Sequence, residues 1–199
     1  MGQEPGLGSV CVFCGSSDAA DPAFLAAAAR LGRELAAAGL RLVYGGGGVG
    51  LMGACARAAH ESGGDVLGVI PEFLVSRERA YEEVETLVVQ SMHERKITMF
   101  EQSDGFVVLP GGIGTLEEVV ELLSWRRLDL HAKPIVFYNP RDFWKPLFDL
   151  FQHTIAERLS PTSFVTAWAV ADTIDDILPA LRAGLRPNDD FAPGDAALT

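Results

Sequence analysis

The 199-residue chain is 48% hydrophobic and 22% charged, apolar enough to bury a core and of a length that fits one domain. Its 27 acidic and 16 basic residues give a net charge of −11, a sign that repels a phosphate backbone and argues against nucleic acid as a partner, while leaving room for one small anion in a local pocket. No apolar run approaches the ~20 residues of a membrane helix, the first residues lack the pattern of a signal peptide, and the odd count of Cys11, Cys14 and Cys55 suits a reducing compartment, so a cytoplasmic protein without disulfides is expected.

An apolar, β-branched run at 10–13 reads as the first strand, and Asp21 followed by Pro22 marks the start of a helix over 22–38 that stops at Gly39. A strand at 41–44 runs into a glycine-rich segment and a helix over 50–61. The strand at 66–70 is followed by the connection 71–85, which carries Glu72, Arg77, Glu78, Arg79, Glu82, Glu83 and Glu85; long charged loops of this kind are often functional or mobile. Further strands are expected at 87–89, 106–109, 135–138 and 167–170, and further helices over 91–102, 115–128, 143–158 and 174–185. This alternation predicts an α/β protein with a parallel sheet covered on both faces and ligands at the carboxyl ends of the strands, where the glycine-rich segments fall. A single domain is expected over 9–185, with flexible ends at 1–8 and 186–199. An apolar helix surface that includes Leu122 and Trp125 is expected to be hidden in a two-fold dimer.

The strongest feature is Leu109-Pro110-Gly111-Gly112-Ile113-Gly114-Thr115-Leu116-Glu117-Glu118, set between a strand and a helix. Such a turn presents backbone N–H groups and the positive end of a helix to phosphate oxygens. The same residues also read as a tight turn with a capping box, because Thr115 and Glu118 fit T-x-x-E. A carboxylate this close to a bound phosphate must be aimed at another part of the ligand, and the sugar or its leaving group is the natural target. In Ser91-Met92-His93-Glu94-Arg95-Lys96, helical winding places Lys96 within an apolar arc and Arg95 at its margin near the first turn, positions where a cation needs a partner. Structural ion pairs with snorkelling stems would also explain them.

Gly48, Gly50 and Gly53 form a G-x-G-x-x-G, with Glu72 after the next strand, and so admit a nicotinamide-dependent oxidoreductase, although the motif follows the second strand rather than the first. Cys11 and Cys14 lie in or at the end of a strand, where i and i+3 face opposite sides, so they read as core residues rather than metal ligands. Ser16 and Ser17 could add hydroxyls to the cleft, and the four histidines show no metal spacing.

Pro110-Gly111-Gly112-Ile113-Gly114-Thr115-Leu116-Glu117-Glu118 resembles the PGGxGTxxE signature of the LONELY GUY (LOG) family, and Met92-His93-Glu94-Arg95-Lys96 resembles its MHxRK segment. The likeness runs from Val12-Phe13-Cys14-Gly15-Ser16-Ser17 through Tyr44-Gly45-Gly46-Gly47 to about residue 180. The family, long mislabelled lysine decarboxylase, hydrolyses cytokinin riboside 5'-monophosphates to free base and ribose 5-phosphate. The resemblance implies an α/β, Rossmann-like three-layer fold with a mostly parallel sheet of about seven strands, a nucleoside 5'-monophosphate substrate, no cofactor, no metal and a homodimer. It implies Arg95 and Glu118 as the catalytic pair, and substrate contacts from Glu78, Arg95, Lys96 and the run from Gly111 and Gly112 through Ile113, Gly114, Thr115, Leu116, Glu117 and Glu118. Ile113 stands where plant members commonly have Tyr.

Glu118 would stabilise an oxocarbenium-like sugar or orient the attacking water, and Arg95 would bind substrate while keeping Glu118 ionised. A non-catalytic nucleotide or molybdenum-cofactor carrier is the alternative, since relatives of this fold bind that cofactor through similar loops. A lysine decarboxylase would require pyridoxal phosphate, and no Schiff-base lysine is evident.

Overall fold

Seven short strands alternate with six helices in a computed structural model that describes residues 6–185. The strands are β1 (Ser9–Phe13), β2 (Arg41–Tyr44), β3 (Val66–Pro71), β4 (Glu85–Val89), β5 (Gly105–Val108), β6 (Ile135–Tyr138) and β7 (Ala169–Ala171). The helices are α1 (Pro22–Ala37), α2 (Gly50–Glu61), α3 (Met92–Glu101), α4 (Ile113–Arg127), α5 (Lys145–Ala156) and α6 (Ile177–Ala183). All strand pairings are parallel, in the order β4-β3-β2-β1-β5-β6-β7. The order reverses between β1 and β5, which opens a crevice at their carboxyl ends.

Period-two alternation divides β1 between two cores. Val10 and Val12 pack with Leu31, Leu35 and Ala56 of α1 and α2, whereas Cys11 and Phe13 pack with Met99, Val119 and Leu123 of α3 and α4. Gly32 lets α1 lie against α2, because a Cβ there would overlap the Cys55 carbonyl.

Several boundaries differ from the sequence reading. Helix α4 starts at Ile113 rather than at 115, with Gly112 as its N-cap, so Thr115 is the third helical residue and the Thr115–Glu118 capping box does not form. Strand β7 begins at Ala169 because residues 162–166 form a 3-10 turn that carries Trp168 onto the Phe148 ring at 5.6 Å. Helix α5 begins at Lys145, after a corner in which Arg141 and Asp142 take φ of +53° and +57°. Leu122 is buried in the second core and is not part of a free face; Ile113, Val120, Leu128 and Leu130 are exposed apolar side chains on α4 and in the three residues that follow it. Of the ends expected to be flexible, 1–5 and 186–199 lie outside the described residues. No helix among the described residues is long and apolar enough to cross a membrane.

The connection after β3 folds back over the glycine-rich loop. Gly48 N donates to the Glu78 and Arg79 carbonyls at 3.0 and 2.9 Å, and Tyr81 N donates to Gly46 O at 3.2 Å. Arg79 sits in the left-handed region at φ +47°, with its guanidinium paired to Asp18. Glu78 points the other way, toward the crevice.

Candidate active site

The crevice is a cavity of about 580 Å³ bounded by the loops after β1, β3, β5 and β6 and by the starts of α1, α2, α3 and α4. On its floor, Gly15 N donates to Pro110 O at 3.0 Å, which ties the first and fifth strand ends together, and Leu51 N donates to Gly15 O at 3.0 Å, which ties the first to the start of α2. No side chain caps the start of α4. Its leading amides therefore keep the anion affinity of an open helix N-terminus. A Cβ at Gly111 would overlap the Thr115 side chain, whereas Gly112 and Gly114 meet nothing within 4 Å and leave the cradle open. Thr115 is buried against Gly111, and Ile113 is 84% exposed at the rim. Ser16 and Ser17 line the cavity opposite.

Arg95 comes from the first turn of α3, whose N-cap Ser91 accepts from Glu94 N at 3.1 Å. It is not marginal as the helical winding suggested: it is 4% exposed and shares the buried face with Met99. Its Nη2 donates to Gly45 O at 3.1 Å and lies 3.9 Å from Glu78 Oε2. A Cβ at Gly45 would overlap the guanidinium, so glycine there leaves Arg95 in this position. Neither Arg95 Nε nor Glu78 Oε2 has a hydrogen-bond partner among the described residues.

Glu118, in the second turn of α4, lines the same cavity. Burial pushes its carboxyl up to about 7, against the opposing pull of Arg95, and Glu117 and Glu78 push in the same direction as burial. Arg95 favours the ionised carboxylate, in the direction expected, but desolvation outweighs the guanidinium. Burial likewise raises the Glu78 carboxyl, and Arg95 again opposes it.

The cavity therefore gathers Glu78, Arg95, Glu117, Glu118 and the Gly111–Thr115 loop. It does not gather Lys96 or Leu116. The Lys96 ammonium is bonded to Glu117 and, at 2.8 Å, to Glu121, and Leu116 packs against the second core. Sequence reasoning missed Leu74, Met92, Phe24 and Phe143 as lining residues. Phe143 had a topological signal, since it follows the end of a strand adjacent to the crevice.

The dinucleotide reading fails on geometry. Asp18 Oδ1 accepts from Gly50 N at 2.8 Å, occupying the helix start a pyrophosphate would need. A Cβ at Gly48 would overlap the Arg79 carbonyl and one at Gly53 the Gly48 carbonyl, so these glycines admit the protein's own backbone. Cys11 and Cys14 belong to opposite cores, as the strand period requires, and burial raises both thiols well above their ordinary value.

A parallel sheet with an uncapped glycine turn at its switch point defines the class: a Rossmann-like α/β protein whose crevice gathers an arginine and the carboxylates Glu78, Glu117 and Glu118. A family model described as "Possible lysine decarboxylase" matches residues 52–181. The rice (Oryza sativa subsp. japonica) protein named "Probable cytokinin riboside 5'-monophosphate phosphoribohydrolase LOGL1" is 41% identical over 188 residues, covering 94% of this chain and 84% of that one. The rice cytokinin riboside 5'-monophosphate phosphoribohydrolase LOG is 38% identical, covering 92% of this chain and 81% of that one. In three dimensions the molybdenum-cofactor carrier protein of Chlamydomonas reinhardtii superposes with a TM-score of 0.68 at 21% identity, over 90% of this chain and 98% of that one, a likeness of fold. The chain belongs to the LOG family.

Proposed function

We propose that the chain hydrolyses the N-glycosidic bond of adenosine 5'-monophosphates, N6-modified ones included, releasing the free base and ribose 5-phosphate. The observation that carries this reading is the convergence of Arg95, Glu78 and Glu118 beside the uncapped start of α4. The names of its relatives at about 40% identity point to the same reaction.

In this reading the amides at Gly112–Thr115 hold the 5'-phosphate, and that remote binding energy fixes the sugar. Water adds to C1' as the bond to N9 breaks, and the departing base takes a proton at nitrogen. Glu118, with a carboxyl at about 7, carries a proton in the neutral pH range and stabilises the developing sugar cation once ionised. Arg95 holds ribose oxygens through its guanidinium, and Glu78 accepts from a sugar hydroxyl, both side chains lining the cavity. Lys96 acts indirectly: its bonds to Glu117 and Glu121 keep Glu117 from competing for the cradle.

We further propose a homodimer that covers the exposed Ile113, Val120, Leu128 and Leu130, no nucleic-acid partner at a net charge of −11, and a reducing, cytoplasmic setting consistent with three buried free cysteines. Incubation with AMP and N6-isopentenyl-AMP, followed by chromatography for released base, tests the activity. Both nucleotides remaining intact would refute it.

A further inference from the structure

We propose that the cavity has a second lobe, over β6, that accepts an apolar or aromatic ester group on the 5'-phosphate, so that 5'-nucleotide phosphodiesters undergo the same N-glycosidic hydrolysis. This rests on the function proposed above and extends its substrate class.

The order of strands sets out the argument. Leu74 and Glu78 follow β3, the Arg95 guanidinium is bonded to Gly45 at the end of β2, and the cradle follows β5 beside the loop after β1. A nucleotide with its phosphate in the cradle and C1' beside Arg95 and Glu118 lays its base toward β3, over Leu74 and Met92. At ~4.8 Å per strand, β5 to β3 is about 14 Å, whereas the lined cavity runs from β3 to β6, about 19 Å. One strand's width remains beyond the phosphate, on the side away from the sugar.

That remaining space has built walls. Phe143, after β6, meets Phe24 of α1 edge to face at 5.6 Å, and both line the cavity with Ala20 and Asp21. Phe143 is 36% exposed, an aromatic face with room for a ligand. Its position is fixed by the left-handed pair Arg141 and Asp142 and by Asn139 Oδ1, which accepts from Trp144 N at 2.7 Å. Asp21 is turned to other duties: it accepts from Arg141 Nη2 at 2.7 Å and from Ala23 N at 2.8 Å, so the rings dominate the lobe.

Charge supplies a second argument. Arg95 is the sole Lys or Arg lining the cavity among the described residues, and it already faces Glu78. Of the other carboxylates that line it, Asp21 is paired with Arg141 and Glu117 with Lys96, which leaves Glu78 and Glu118 to meet the ligand. A phosphomonoester enters near neutral pH largely as a dianion, whereas a diester carries one charge and meets less repulsion from that pair. The reaction leaves the ester untouched: water adds to C1', the base departs with its proton, and the product is a ribose 5-phosphate ester.

The test offers AMP and its phenyl phosphoester to the wild type and to Phe143→Ala, Phe24→Ala and Ala20→Leu. The wild type is expected to release adenine from the ester with kcat/KM within about ten-fold of AMP, and each variant to lower the ester-to-AMP ratio by about five-fold or more, the scale of a lost or blocked apolar contact. Turnover of AMP by each variant reports its folding. An enzyme that cleaves AMP but not the ester overturns the lobe, as does a ratio unchanged in all three variants. Failure to cleave any nucleotide overturns the hydrolase reading itself and the lobe with it.

Discussion

Glu78 Oε2 stands 3.9 Å from Arg95 Nη2, close enough to pair by charge yet without a hydrogen bond, and the Arg95 Nε beside it is also unbonded. Buried polar atoms are nearly always satisfied, and both side chains line the cavity, so the unsatisfied pair is placed to turn toward ligand hydroxyls. Glu78→Gln should therefore raise KM for AMP by about ten-fold, the cost of a lost charge-assisted hydrogen bond, with a smaller effect on kcat. Steady-state kinetics decide it: a fall confined to kcat would move Glu78 from binding to chemistry.

Glu118→Gln should lower turnover roughly 10²-fold or more while leaving the fold intact. Because Glu118 is not a helix cap, no capping loss offsets the change. Its carboxyl is raised from 4.5 to about 7, so its contribution to stability is full below pH 4.5 and is lost as pH rises through 7, where a buried charge must be maintained. The Gln variant should accordingly equal or exceed the wild type in stability at pH 8. Urea unfolding of both proteins at pH 5 and pH 8 checks the sign, and a variant less stable at pH 8 would show that the carboxylate has a partner that outweighs its burial.

The same titration should appear in the kinetics. Wild-type kcat/KM should bend near pH 7 with an ionisation absent from the residual activity of Glu118→Gln. A profile of unchanged shape in the variant would assign the bend to another group.

The fold was legible because seven apolar runs and the helical periods between them repeat a βαβ rhythm, and short local patterns suffice for that. Thr115 shows where local reading stops. Its T-x-x-E spacing with Glu118 fits a capping box as well as a phosphate turn, and only the two helical residues gained at Ile113 and Gly114, with Thr115 packed on Gly111, decide between them. Arg95 and Glu78 are 17 positions apart, and nothing in either neighbourhood specifies that the loop after β3 doubles back over Gly48 to bring them together. Lys96 was placed by resemblance in the substrate shell, but its reach to Glu117 and Glu121 depends on how α3 crosses α4.

His131 should make the protein acid-sensitive. It is buried between Phe100 and Phe106 with Nε2 3.0 Å from Leu122 O, and burial lowers its pKa to about 4, with Arg126 and Lys133 adding to the effect. The ring is neutral in the folded state, so stability is full above its ordinary value of ~6.5 and is lost progressively as pH falls toward 4. His131→Phe, which keeps an aromatic ring in the site, should flatten that decline. Comparing urea midpoints at pH 7, 5.5 and 4.5 tests this, and parallel declines in the two proteins would exclude His131 as a source.

Gly114→Ala separates the cradle's chemistry from its structure. Gly114 is the second residue of α4, its φ is not in the left-handed region, and a Cβ there meets no protein atom within 4 Å. Alanine should be neutral to stabilising, by up to about 1 kcal/mol from helix propensity. The added methyl enters the space where a phosphate must approach the leading amides of α4, so KM for AMP should rise about ten-fold or more. Adenosine, which brings no phosphate to those amides, should be a poor substrate for both proteins and should lose little further on substitution. Thermal melts and kinetics on the two substrates provide the check: equal turnover of adenosine and AMP by the wild type, or an alanine variant with unchanged KM for AMP, would remove the phosphate from this turn.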